Sequence, residues 1–238
     1  MSLPAFKTSA MPRAPHIIPL GATAFLADHR GTLFHEGERT LIVADLHLEK
    51  GSSFAERRSL LPPYDTAATL AKLAALIAHY APRRVVALGD SFHDRRAGTR
   101  IAESDVATLK TLQKGRDWVW IAGNHDPDPP VGLGGEACDM LHIGAVTLRH
   151  EPTAGALAEI AGHLHPAARV AGASGSVRRR CFVASQRRII LPAFGAFTGG
   201  LNLRDAAFAP FLAGEEWSAH VMGRDRIYAV RASRCLGD

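Results

Sequence analysis

Apolar and polar positions fall into short runs along this chain, and the runs predict its elements. Residues 17–26 and 32–35 predict two strands joined at Asp28-His29-Arg30-Gly31, and 40–45 predicts a third. Leu70, Leu73, Leu76, Ile77 and Tyr80 recur at helical spacing, so 66–80 predicts a helix, with Asp65 as its N-cap and Pro82 beyond its end. A strand at 84–88, a helix at 102–114 closed by Gly115 and a strand at 118–122 follow. Residues 127–139 are rich in Pro and Gly and predict loop. Strands then dominate, at 141–143, 145–149, 157–161, 167–171, 180–185, 188–191, 217–221 and 226–231, with a loop over 192–200. Early strand–helix alternation and late antiparallel strands predict an α/β sandwich, two sheets face to face with helices outside. No linker composition interrupts the chain. The expectation is a flexible N-terminal arm over 1–15 and a single domain over 16–238.

The runs carry a second regularity. Five of them end in Asp, Asn or His: 41–44 before Asp45-Leu46-His47, 85–88 before Gly89-Asp90, 118–122 before Gly123-Asn124-His125-Asp126, 146–149 before His150, and 157–161 before Gly162-His163-Leu164-His165. In open α/β sheets, ligands bind where strands end. Asp45 and His47 are two apart, which in extended chain puts both side chains on one side, and His163 and His165 repeat the spacing. Asp90 and Asn124 each follow a glycine, as a sharp turn with a close approach requires. Two carboxylates, one amide and four imidazoles with no thiolate suit Mn, Fe or Zn better than Mg or Ca. Seven such groups are too many for one tetrahedral ion and suit two ions sharing a carboxylate. That arrangement attracts phosphate and lowers the pKa of a bound water.

Composition narrows the setting. The chain has 238 residues, 47% of them hydrophobic, which is enough for a sizeable core. It has no apolar run of transmembrane length and no secretory pattern at its start, so the expected location is the cytoplasm, away from membranes. Cys138, Cys181 and Cys235 are odd in number and widely spaced, so they predict neither a disulfide framework nor a thiolate zinc site. The net charge is +5 and the pI about 9.4, with arginines clustered at 57–58, 83–84, 95–96, 178–180 and 187–188. Such charge suits a polyanion, and is equally common on surfaces that merely stay soluble.

The ordered motifs Asp45-x-His47, Gly89-Asp90, Gly123-Asn124-His125-Asp126, His150 and Gly162-His163-x-His165 resemble those of the calcineurin-like metallophosphoesterases. The resemblance spans residues 40–166 and implies a four-layer α/β/β/α sandwich with two mixed sheets. It implies one metal on Asp45, His47, Asp90 and His165, and a second on Asp90, Asn124, His150 and His163, with Asp90 bridging. His125 would then face the scissile phosphate as a catalytic group, oriented by Asp126. Many relatives read G-D-x-x-D-R at the second motif. Here the run is Gly89-Asp90-Ser91-Phe92-His93-Asp94, and with Leu191-Pro192-Ala193-Phe194-Gly195-Ala196-Phe197-Thr198-Gly199-Gly200 it resembles the ligase-associated branch of DNA endonucleases. That branch implies DNA repair, DNA as partner, and functional association with an ATP-dependent DNA ligase, a helicase and a second nuclease; the N/O donor set makes manganese the foremost expected metal. His93, Arg178, Arg179 and Arg180 are the candidate substrate contacts. The alternatives are a small-molecule phosphodiesterase or phosphomonoesterase, for example on a cyclic nucleotide, and an inactive binding scaffold.

Overall fold

The structure is a computed structural model, and it describes residues 14–238 apart from 60, 63, 129–131 and 173–174. Most of the expected N-terminal arm therefore lies outside the described residues. The first sheet contains β1 (His16–Leu20), β2 (Thr23–Asp28), β3 (Thr32–His35), β4 (Thr40–Val43), β5 (Arg84–Leu88), β6 (Asp117–Ile121) and β7 (Glu136–Cys138), in that order. Strands β1 to β4 pair antiparallel and β4 to β7 parallel. Helices α1 (Lys50–Glu56), α2 (Asp65–Tyr80) and α3 (Glu103–Gln113) lie in the β4–β6 crossovers.

The second sheet takes the rest of the chain: β8 (Met140–Ile143), β9 (Val146–Arg149), β10 (Glu159–Ala161), β11 (Pro166–Gly172), β12 (Gly175–Ser185), β13 (Arg188–Ile190) and β14 (Leu201–Asn202), then β15 (Trp217–Met222), β16 (Ile227–Arg231) and β17 (Cys235–Leu236). It too is mixed, since β10 runs parallel to β9 and β13 while β12 runs antiparallel to β11, β13 and β15.

Period-two alternation in β4 and β5 splits their side chains between two cores. Ile42, Val86 and Leu88 meet Leu148, Ile160, Phe182 and Ile189 between the sheets. Leu41, Val43, Val85 and Ala87 instead meet Leu70, Leu73, Leu76 and Leu109 of the helices. The far face of the second sheet is covered over part of its area by Leu203, Phe208 and Leu212, the last from the single-turn helix α4 (Ala209–Leu212). The order is therefore α/β/β/α, with a thin fourth layer.

Four local expectations change. The run 17–26 is a hairpin, because Gly21-Ala22 turn the chain between two apolar strands. β7 lies inside the predicted loop 127–139. Its exposed residues carry no apolar run, and it becomes a strand only by pairing with β6. α1 has weak helix formers and was not predicted. Contacts from α2 hold its start: Asp65 accepts the Gly51 N–H at 3.0 Å, and Thr66 exchanges hydrogen bonds with the Glu49 backbone and carboxylate at 2.9 Å. Asp65 is thus the first helical residue of α2, with its carboxylate turned toward α1.

Candidate metal centre

Parallel strands β4, β5 and β6 deliver Asp45, Asp90 and Asn124 to one edge, and β9, β10 and the entry to β11 deliver His150, His163 and His165 to the same edge. The two sheets are tied there. Asp45 accepts the His163 backbone N–H at 3.1 Å, and the Phe194 and Gly195 N–H groups donate to the carbonyls of Ala44 and Asp45 at 2.9 and 3.1 Å.

The expected extended spacing of Asp45 and His47 is not how they converge. β4 ends at Val43, and Asp45 and His47 are left-handed, with φ of 54° and 44°. Asp90, His163 and His165 share that region at 47°, 68° and 47°. Non-glycine residues enter it at a cost, and their concentration here marks a backbone bent to aim side chains. Glycines supply the close approaches: a Cβ on Gly89 would stand 2.5 Å from the His150 ring, and one on Gly123 would collide with the Asp90 nitrogen.

Two groups of side chains result that could each hold a metal ion: Asp45, His47 and His165, and Asp90, His150 and His163. In the first, His47 Nε2 and His165 Nε2 face each other at 3.2 Å, and His165 Nε2 lies 3.4 Å from Asp45 Oδ1. In the second, the Asn124 amide oxygen lies 3.0 Å from both His150 Nε2 and His163 Nδ1. Asp90 faces both groups, with Oδ2 3.9 Å from His47 Nε2 and Oδ1 3.4 Å from His150 Nε2.

The donors fit divalent cations. His150 Nδ1, assigned as the protonated nitrogen from its contact, donates to the Leu88 carbonyl at 2.9 Å. Its Nε2 is left facing the Asn124 oxygen, and two electron-rich atoms so close need positive charge between them. Without a metal that charge is a proton. Burial opposes it, yet Asp90 and Asp45 push His150 up to about 9. Burial likewise opposes ionisation of Asp90, but His150, the His125 N–H and His47 hold it down at about 2. Burial, then the neighbouring His165, pushes His47 down to about 3 and keeps its ring neutral. Ionised carboxylate, amide oxygen and neutral imidazole are the forms in which these groups ligate metals.

His125 sits at the rim. Its backbone N–H donates to Asp90 Oδ1 at 2.9 Å, and its Nδ1 lies 2.9 Å from the His93 carbonyl oxygen. The His93 and His125 rings stack with centroids 5.5 Å apart. Asp126, expected to orient His125, is turned elsewhere: its Oδ2 accepts the Phe92 N–H at 2.9 Å. It therefore holds the turn that carries His93, whose carbonyl meets the His125 ring. Burial, with Asp90 close by, pushes Asp126 up to about 7.

The arginine triplet does not gather at this site. Arg180 donates to the carbonyls of Ala193, Gly195 and Thr198 at 2.6–3.1 Å and so clamps the 192–200 loop. Arg178 reaches the Gly200 carbonyl and Asp238, and Arg179 points to the other face of β12. In their place, Arg57, Arg95 and Arg96 line a cleft of about 540 Å³ bordered by Asn124 and His125. On the other side of Asn124, a cleft of about 350 Å³ is lined by Arg149, His150 and Glu151. The position of Arg95-Arg96 shortly after Asp90 is the sequence feature that could have singled them out.

Among the described residues no helix is long and apolar enough to cross a membrane. No curated protein matches the chain. Among solved structures it is similar to the nuclease MPE from Pseudomonas putida, with 30% identity over 90% of this chain and 100% of that one and a TM-score of 0.68. Yfce, a phosphoesterase from E. coli, matches at 12% identity over 81% of this chain and 98% of that one, with a TM-score of 0.39. Residues 38–167, more than half of the chain and the stretch that carries all seven candidate ligands, match the calcineurin-like phosphoesterase family, and the chain belongs to that family.

Proposed function

We propose that this phosphoesterase is a nuclease: a phosphodiesterase that cleaves DNA with two divalent cations, manganese foremost, and serves DNA repair in the cytoplasm. The observation that carries the reading is the pair of clefts meeting at Asn124, which leaves room on both sides of the site: one is lined by Arg57, Arg95 and Arg96 against Glu56 and Asp94, the other by Arg149 against Asp139 and Glu151. A diester needs room on both sides of phosphorus, and a polynucleotide brings further phosphates to each side. The 30% identity to a nuclease over the full length of that protein supports the same reading. So does the resemblance to the ligase-associated branch, which brings with it the proposed association with an ATP-dependent ligase, a helicase and a second nuclease.

Asp45, His47, Asp90 and His165 would hold one ion, and Asp90, Asn124, His150 and His163 the other. Bound there, the ions would polarise the phosphoryl oxygens and acidify a water. The chain's own residues do the rest. With Nδ1 of His125 committed to the His93 carbonyl, its Nε2 is the atom that gives a proton to the leaving oxygen. Asp126 holds Phe92, and with it the carbonyl that sets the plane of the His125 ring. Arg57 and Arg95 make no ion pair among the described residues, so their charge is left for the phosphates flanking the scissile bond.

The test is a panel of metals against an aryl diester, an aryl monoester, and single- and double-stranded DNA. Manganese-dependent cleavage of DNA and of the diester is expected. Monoester turnover well above diester turnover overturns the reading.

A further inference from the structure

On the outer face of the second sheet, beyond the part that α4 covers, lies a groove of about 960 Å³. Val170, Val177, Val221 and Tyr228 contribute to its lining, and Val177 and Tyr228 are 46% and 47% exposed. Arg179, Arg224, Arg231 and Arg234 also line it, and all four are exposed. Among the described residues none of these four forms an ion pair with a carboxylate. Arg226 lies over the Tyr228 ring at 5.1 Å. Strand pairing brings the lining together: Val170 faces Val177 across β11 and β12, and Val221 faces Tyr228 across β15 and β16.

We propose that this groove is a second nucleic-acid site, taking the part of a single strand that extends away from the metal centre. The inference rests on the nuclease reading. Unpaired guanidinium groups repel one another and are settled by a polyanion. A tyrosine and valines lying between them offer flat and apolar surface to unstacked bases. An acidic peptide would satisfy the arginines and leave that floor unused, whereas a single strand presents phosphate and base at regular intervals. The geometry fits one continuous ligand. β11 begins beside His165, and Val170 lies five residues along, about 16 Å at the usual strand rise. About five nucleotides span that distance at the 3.4 Å rise of a stacked strand, and fewer span it where the bases unstack.

The test compares single-stranded oligonucleotides of 4 and 20 nucleotides with a small aryl diester. The proteins are the wild type, an Arg224→Ser/Arg231→Ser/Arg234→Ser variant, and Tyr228→Ala. Anisotropy on labelled 20-mer is read in parallel in His125→Ala, where cleavage is slow, with and without the groove substitutions. In the wild type KM should fall as the oligonucleotide lengthens. The triple variant should raise KM for the 20-mer about tenfold and reduce the salt slope of binding by about two, from roughly 0.7 counterions per lost contact. Aryl diester turnover and KM for the 4-mer should not move. Tyr228→Ala should weaken 20-mer binding with the salt slope intact. Variants that bind and cut every length as the wild type does overturn the groove and leave the nuclease reading standing. A wild type that binds the 20-mer through these residues but cuts no DNA overturns the nuclease reading and leaves the groove. Duplex bound as tightly as single strand, or an acidic peptide displacing the 20-mer at equal charge, overturns the single-strand assignment.

Discussion

His16 Nε2 lies 2.7 Å from His220 Nδ1, so a hydrogen bond between two imidazoles joins the edge strand of the first sheet to β15 of the second. One ring donates and the other accepts, which requires at least one neutral partner. Burial, then the neighbouring His16, pushes His220 down from 6.5 to about 4, and burial lowers His16 as well. A depressed pKa in the folded state means that the unfolded chain takes up protons first as pH falls. The stabilisation is therefore complete above about pH 6.5 and is lost on descent toward pH 4. Urea midpoints measured across that window should fall in the wild type, and His220→Gln should flatten the dependence.

His125→Ala should leave both metals in place and lower kcat on an aryl diester by roughly 10²–10⁴, the usual worth of a general acid. Metal content by mass spectrometry, read beside kcat, checks this. A variant that keeps two ions and near-normal turnover removes His125 from catalysis.

Asp90→Ala should behave differently, because its two oxygens face both donor groups. Metal occupancy and activity should fall together. The stabilisation expected from bound metal, about 2.7 kcal/mol at a hundredfold excess over Kd and read as a rise in Tm, should shrink as well.

Arg180→Ala should act on stability. It removes the donors that hold the carbonyls of Ala193, Gly195 and Thr198, at a cost of about 1–3 kcal/mol. Because the Gly195 N–H donates to the Asp45 carbonyl, manganese affinity should weaken with it. An unchanged melting temperature would count against the clamp.

What the sequence discloses follows from how local each cause is. The strands before Asp45, Asp90 and Asn124 are visible because their cores are continuous apolar runs. The gathering of the seven candidate ligands is visible because each stands where such a run stops. β7 and α1 are hidden, since a three-residue edge strand and a Gly-Ser-Ser helix exist only against β6 and α2. The arginine triplet misleads for a related reason. Adjacent residues on a strand point to opposite faces, so Arg179 and Arg180 go to different surfaces although they touch in sequence. The left-handed turns at Asp45 and His47 give the same convergence that an extended chain would, so the spacing points to the right residues by the wrong geometry.

The hydrogen bonds from Phe194 and Gly195 to Ala44 and Asp45 join the first motif to a loop near the end of the chain. This sets an order of events during folding. Local pairings such as β1–β2 and β2–β3 close small loops and can form early, whereas this closure joins segments separated by most of the chain and carries the larger entropic cost. On refolding, secondary structure should therefore return before manganese affinity. A ribosome that has released only residues 1–170 holds every candidate ligand of the centre, but not the loop over 192–200 that fixes it.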